Sequence, residues 1–353
     1  MKKGMVRFPA GPPATHRATV AAGFVSGLLS GCTERRLATA TALREAGIDP
    51  RALADPKTRV PLPAYAQLYG ALIRAHGDEG FALFATPLRP GTFEFLCRSA
   101  VGAPNLEEAL ARAARYLAVV LPELRVSIER DEHFARLVIA ETRALRTEPA
   151  NPARVFAFEW SLRLLHCLAC WLAGRGIALE SVRFPYPRPP HAADYGLIYT
   201  ENATFGGEAL AATLESAHLD LPVRRDDGEL AAFVEAAPRN ITMLYRRDRE
   251  FARRLRVILE AALPRALDLE EAAREMRMSA RTLHRRLQDE GINFRSVRDA
   301  LRRDLALERL AKPGESVARV AADLGYSEPS AFFRAFQAWT GEAPSAWRRR
   351  FSP

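Results

Sequence analysis

Arg281, His284 and Arg285 fall within five residues, and Arg334 recurs 49 positions after Arg285. A guanidinium fork pairs bidentately with phosphate oxygens or with a guanine edge, chemistry that a lysine does not reproduce. Thr282 and Gln288 beside the first group, and Pro329, Ser330 and Gln337 beside the second, complete two small polar sets suited to a duplex surface. The same arginines could instead pair with acids or clamp phosphates without reading sequence, because at least half of protein–DNA hydrogen bonds go to the backbone.

Other constellations are thinner. Cys167-Leu-Ala-Cys170 has the C-x-x-C spacing of a redox pair, but it lies in the apolar run "LRLLHCLACWLAG" with no strand–helix–strand context. Core cysteines are the simpler reading, and a thiol-based redox sensor is the alternative. His166 and His191 lack a second ligand at metal spacing, so no metal and no cofactor is expected. Phe93, Tyr186, His191 and Tyr195 are the candidate ligand-binding residues; for the last three, a polar-aromatic cluster, loop packing competes with pocket lining. No phosphate loop, nucleophile elbow or paired carboxylate arrangement calls for an enzyme.

"GLLSGC" (27–32) has the residue types that bacterial lipoprotein processing uses around an acylated cysteine. Two features oppose that use. The preceding basic segment holds Pro9, Pro12 and Pro13, and no flexible tether follows Cys32. Leu37, Ala40, Leu43 and Ala46 instead repeat at helical spacing up to Gly47. Cys32 is expected to be a buried or half-buried thiol at a helix end.

The arginine sets need elements to carry them, and the chain supplies these twice. "LEEAAREMRMSARTLHRRLQ" (269–288) and "VARVAADLGYSEPSAFFRAFQ" (317–337) share one pattern of helix, short turn, helix. Leu269, Ala272, Ala273 and Met276 form an apolar stripe that Val317, Val320, Ala321 and Leu324 reproduce. Leu283 and Leu287, like Phe332 and Phe336, stand at i and i+4 and face inward, so the polar sets face outward. Ser279 is placed to cap the first outer helix, Pro329 suits the first turn of the second, and Gly291 and Gly341 stop them. Between the copies, 294–314 reads as a helix of about 17 residues, roughly 25 Å long, ended by Pro313-Gly314. It is a stiff spacer.

Charge divides along the same line. Residues 239–353 hold 24 basic and 16 acidic groups, whereas 1–238 hold 27 and 26. Nearly the whole excess of +9 therefore sits in the last third, and all of that third's basic residues except Lys312 are arginine. A basic domain attached to a neutral one points to nucleic acid at one end. With 48% hydrophobic and 26% charged residues the chain is globular, no apolar stretch reads as a membrane span, and four scattered cysteines give no disulfide framework.

Residues 250–350 resemble the DNA-binding domain of the AraC family of bacterial transcription regulators. "ALERLAKPGESVARVAADLGYSEPSAFFRAFQAWTGEAPSAWR" carries the likeness. The resemblance implies base reading by Arg281, His284 and Arg285 in the first unit and by Pro329, Ser330 and Arg334 in the second. It gives packing and turn roles to Leu283, Ala321, Gly325, Phe332, Phe336, Gly341 and Pro344. His284 and Phe333 are not residue types that define a base preference. Arg348, Arg349 and Arg350 suit phosphate or solvent.

The first two-thirds alternate helical patterns (62–77, 105–121 from an Asn105 cap, 153–176) with strands at 124–141, folded around Arg130-Asp131-Glu132, and a strand followed by a proline-rich loop within 179–195. "LRPGTFEFLCRSAVGAPNLEEALARAARYL" and the stretch 182–223 are similar, more loosely, to the arabinose-binding-like N-terminal domain of the same family. The fold class expected is an α+β sensor domain with a small antiparallel sheet, followed by an all-α domain of two helix-turn-helix units joined by a long helix. The boundaries read as a disordered tail (1–16), an effector-binding and dimerisation domain (17–235), a linker (236–252) and the DNA-binding domain (253–353). The resemblance implies a cytoplasmic, homodimeric, ligand-responsive activator. Its partners would be double-stranded promoter DNA, RNA polymerase and a small-molecule effector, with no membrane. A ligand-independent DNA-binding protein is the other alternative.

Overall fold

The computed structural model describes residues 19–349 except 57, 175, 224, 236–249, 290–292 and 311–314. The tail, most of the linker, Gly291 and Pro313-Gly314 lie outside the described residues. The side chain of Gln288 does too.

The chain starts with a short strand, β1 (Thr19–Ala21), which pairs antiparallel with β2 (Arg59–Pro61). Between them lie α1 (Ala22–Glu34) and α2 (Ala40–Glu45). The expected helix end is there, with Cys32 fully buried in α1 and burial pushing its thiol up to about 11. α3 (Leu62–His76) stops at Gly77, whose positive φ of 61° closes the turn.

α4 (Thr92–Ala100) leads into α5 (Leu106–Val120), where the Asn105 side chain accepts from the Glu108 amide and so caps the helix. β3 (Leu124–Arg130) and β4 (Phe134–Glu141) form the expected hairpin. Its turn is closed by the Asp131 carboxylate, which accepts from the amides of His133 and Phe134.

α6 (Pro152–Ala173) begins at an Asn151 cap and ends at Gly174, φ 65°. By length and composition it could cross a membrane, contrary to the expectation from sequence, but 94% of its apolar window is buried inside the fold. It is a core helix. β5 (Ser181–Phe184), the turn Ala192–Asp194 with α7 (Tyr195–Ile198), β6 (Ala203–Phe205), β7 (Leu210–Glu215) and α8 (Asp227–Glu235) complete the domain.

The five-stranded sheet has the order β3-β4-β7-β5-β6. It is antiparallel as expected except at one edge, where β5 and β6 run parallel. One continuous apolar core runs from Val20 to Phe233.

The remaining helices are α9 (Glu250–Ala262), α10 (Leu269–Glu275), α11 (Ala280–Asp289), α12 (Phe294–Leu310), α13 (Val317–Asp323), α14 (Pro329–Thr340) and α15 (Pro344–Arg349). They enclose two separate cores. Leu255, Leu259, Ala272, Ala273, Met276, Leu283, Leu287, Val297 and Leu301 form the first. Ala306, Leu310, Val320, Ala321, Leu324, Phe332, Phe336 and Trp347 belong to the second. α12 contributes to both, so one helix of 17 residues carries the two units, as its sequence pattern indicates.

Candidate nucleic-acid interface and sensor core

Each outer helix is fixed by its inward residues. In α11, Leu283 and Leu287 are buried, which turns Arg281, His284 and Arg285 to solvent. In α14, Phe332 and Phe336 are fully buried, and Pro329, Ser330, Arg334 and Gln337 are exposed. Arg281, Arg285 and Arg334 pair with no acid among the described residues, so their guanidinium groups are available to an incoming anion. Thr282 is used differently. Its amide donates to the Ser279 hydroxyl at 3.1 Å and its own hydroxyl lies 2.8 Å from the same oxygen, which is the expected cap.

The turns of the two units fill their left-handed position with different residues. Gly325 adopts φ 77° in the second, and Arg277 occupies the same left-handed region, φ 57°, in the first. α12 is tied to the second unit by Arg309, which reaches Glu315 at 2.7 Å and Asp323 at 2.6 Å. Arg302 adds a stack over the Tyr326 ring, 4.6 Å from its centroid.

The sensor candidates separate into two places. Phe93 packs against Phe233, which in turn stacks on Trp171 at 4.3 Å. Tyr186, His191 and Tyr195 come together around a residue that sequence reasoning missed, Glu159 of α6. Its carboxylate is fully buried. Oε1 accepts from the Tyr195 hydroxyl and lies 2.6 Å from His191 Nε2, while Tyr186 and Tyr195 hydroxyls are 3.0 Å apart. The other oxygen, Oε2, has no hydrogen-bond partner among the described residues.

Burial alone would lower the His191 pKa, but the Glu159 carboxylate outweighs it and holds the imidazole above its ordinary value. Burial, reinforced by the same carboxylate, pushes the Tyr186 and Tyr195 phenols far up. The sequence signal for Glu159 was present: one acid inside "VFAFEWSLRLL". A charge in an apolar run is either exposed or paired, and here it is paired.

Between His191 and Tyr195 stands Asp194, also missed, and it faces the opposite way. It takes Arg59 Nη1 at 2.8 and 2.7 Å, the Ala21 amide at 3.0 Å, and Arg303 Nη1 of α12 at 3.2 Å. Burial opposes its charge, but Arg59 and Arg303 prevail and keep its carboxyl below the usual range.

Cys167 and Cys170 are both buried within α6, with Cys170 Sγ 3.5 Å from His166 Nε2. Nothing in this placement supports the redox alternative.

Known proteins carry the same two parts. Residues 37–223 match the family described as the arabinose-binding domain of AraC transcription regulator, N-terminal, and residues 272–350 match a helix-turn-helix domain. The ornithine utilization regulator of Pseudomonas aeruginosa is 28% identical over 304 residues, covering 86% of this chain and 88% of that protein. The regulator VqsM of the same organism is 35% identical over 98 residues, 28% of this chain and 30% of its own. Among solved structures, the transcriptional regulator CdpR of Pseudomonas aeruginosa aligns over 93% of this chain and 98% of its own, at 21% identity and a TM-score of 0.30. With more than half its length in the N-terminal family and the helix-turn-helix domain following it, the chain belongs to the AraC family of transcription regulators.

Proposed function

We propose that this regulator is a one-component, ligand-responsive activator that reads DNA with α11 and α14. The supporting observation is the pair of outward polar faces, Arg281, His284 and Arg285 on one helix and Ser330, Arg334 and Gln337 on the other, carried on one α12. A stiff spacer suits two successive major-groove segments about 10 bp apart on one side of the duplex. The faces differ in chemistry, so the two halves of the site differ in sequence.

Glu159, His191, Tyr195 and Tyr186 are the effector-facing groups in this reading. A buried carboxylate with one oxygen unmatched suits a small molecule that brings a hydrogen-bond donor. The protein works in the cytoplasm as a homodimer that touches RNA polymerase, and it binds rather than catalyses.

Selection from a randomised duplex library tests the DNA reading. The expected product is a non-palindromic element per monomer; recovery of unselected sequence would overturn it. A thermal-shift panel tests the effector reading. It starts with amines and amino acids, because the relative aligned over 86% of this chain is named for ornithine utilization. A specific ligand raises the melting temperature by mass action.

A further inference from the structure

The residues that hold Glu159 and those that hold α12 interleave. Where the turn enters α7, His191 and Tyr195 point inward to Glu159, while Asp194 between them points out to Arg59 and Arg303. The β1–α1 junction repeats this alternation. Thr19 donates to Asp304 of α12 at 3.3 Å, and the Ala21 amide donates to Asp194 at 3.0 Å. Gly23 lies so close to the His191 ring that a Cβ there would stand 2.3 Å from Nδ1. A second contact lies nearby, where Ser296 of α12 donates to Glu201 at 2.5 Å.

On the far side, Asp304 also takes Arg256 of α9 at 3.1 Å, and Arg303, Asp304 and Asp194 are all at least nine-tenths buried. These ions are shielded from solvent, so small displacements alter their interaction more than at an open surface. The sensor domain holds α12 while both recognition faces stay exposed. Control by this contact therefore does not work by covering the DNA-reading residues.

We propose that the Thr19–Gly23 junction and the His191–Tyr195 turn form one transmission element, through which the state of the Glu159 core sets how α12 is held and so the affinity of the two units for DNA. A backbone shift at His191 or Tyr195 also carries Asp194, three residues from one and adjacent to the other. The element couples two sites because each end makes different contacts in its two positions. The proposal rests on the DNA-binding reading and does not require the effector to be known, since substitution perturbs the core directly.

The test is a double-mutant cycle on the full chain, with Kd measured at fixed salt for a duplex recovered by selection. Tyr195→Phe removes one donor from Glu159 without changing the shape of the core. Arg303→Ala removes the link from α12 to Asp194, while Asp194 keeps Arg59 and Asp304 keeps Thr19. Each single change is expected to shift Kd threefold or more. The double variant should shift it no further than the larger single one, because both act on the same element. Arg303→Lys should recover part of the effect.

Hydrogen exchange across 294–310 should rise in Arg303→Ala and, by transmission, in Tyr195→Phe. Single shifts that multiply in the double variant would overturn the coupling. An unchanged Kd in both single variants would overturn it as well. Loss of all sequence preference in the wild type would instead fail the DNA-binding reading, and is seen separately.

Discussion

The two helix-turn-helix units are the same fold built with different materials. The first closes around aliphatic side chains, Leu255, Leu259, Leu283, Leu287 and Leu301, and presents a strongly basic outer helix. The second closes around Phe332, Phe336 and Trp347, and its outer helix carries a single arginine, Arg334, among Ser330, Phe333 and Gln337. The second is tied to α12 through Arg309 and Arg302, the first through Arg256, which reaches Asp304 of α12. One unit therefore has more charge for finding DNA, and the other has an aromatic core. Two copies of one motif differ in the chemistry of the core and in the charge of the outer face.

The largest expected effect probes the packing half of this contrast. Phe336→Ala empties a fully buried ring site and should cost about 3–5 kcal/mol. Leu287→Ala should cost about 2–5 kcal/mol, at the lower end if the aliphatic core collapses more easily. Because the cores are separate, hydrogen exchange should lose protection over 317–349 in the first variant and over 255–289 in the second. Loss spread evenly over both units would mean that they fold as one.

Recognition comes next. Arg285→Ala and Arg334→Ala should each cost about 1–3 kcal/mol in site preference, each in a different half of the element. Selection with each variant measures this. If both half-site preferences survive, the arginines clamp backbone and the contrast in recognition disappears.

The caps supply a smaller test. α11 is capped by Ser279, while α14 has no side-chain cap and begins with Pro329. Ser279→Ala should cost about 1 kcal/mol in urea unfolding, and Glu328→Ala close to nothing. Equal costs would erase the distinction.

The smallest effect lies in the turns. Arg277→Gly relieves a left-handed backbone worth about 1–2 kcal/mol and returns roughly half of that as unfolded-state entropy, for a net gain below about 1 kcal/mol. Gly325→Ala should destabilise, since its Cβ would meet the Pro264 carbonyl at 2.7 Å.

Much of this asymmetry is legible in the sequence, because helix-turn-helix contacts are local. Leu283 with Leu287 and Phe332 with Phe336 declare the inner faces by spacing, and Asn105 and Ser279 declare their helices by type. Strands β6 and β7 gave no comparable signal. "LAATLE" alternates leucine with small residues too weakly to mark a strand, and its place between β4 and β5 is set by pairing across many residues.

The sensor core was half visible. Tyr186, His191 and Tyr195 stand out as polar aromatics in a loop, but Glu159, which gathers two of them directly, lies 32 residues before His191 on another element. Asp194 and Arg303 carry no local mark. An acid in a turn and an arginine on a helix read as solvent-facing until tertiary structure buries them together.

Arg302, Arg303 and Asp304 are consecutive, and each faces a different neighbour. Arg302 meets the Gly325 carbonyl of the second unit, Arg303 meets Asp194 of the sensor domain, and Asp304 meets both Thr19 of β1 and Arg256 of α9. The DNA-binding third is thus not a freely portable module. A chimera that fused residues 250–353 to a foreign sensor would leave behind Asp194 and keep only Asp304 as the acid beside Arg303. The donor for α12 and the acid for its arginine would have to be rebuilt on the new host before the graft could respond to the host's ligand.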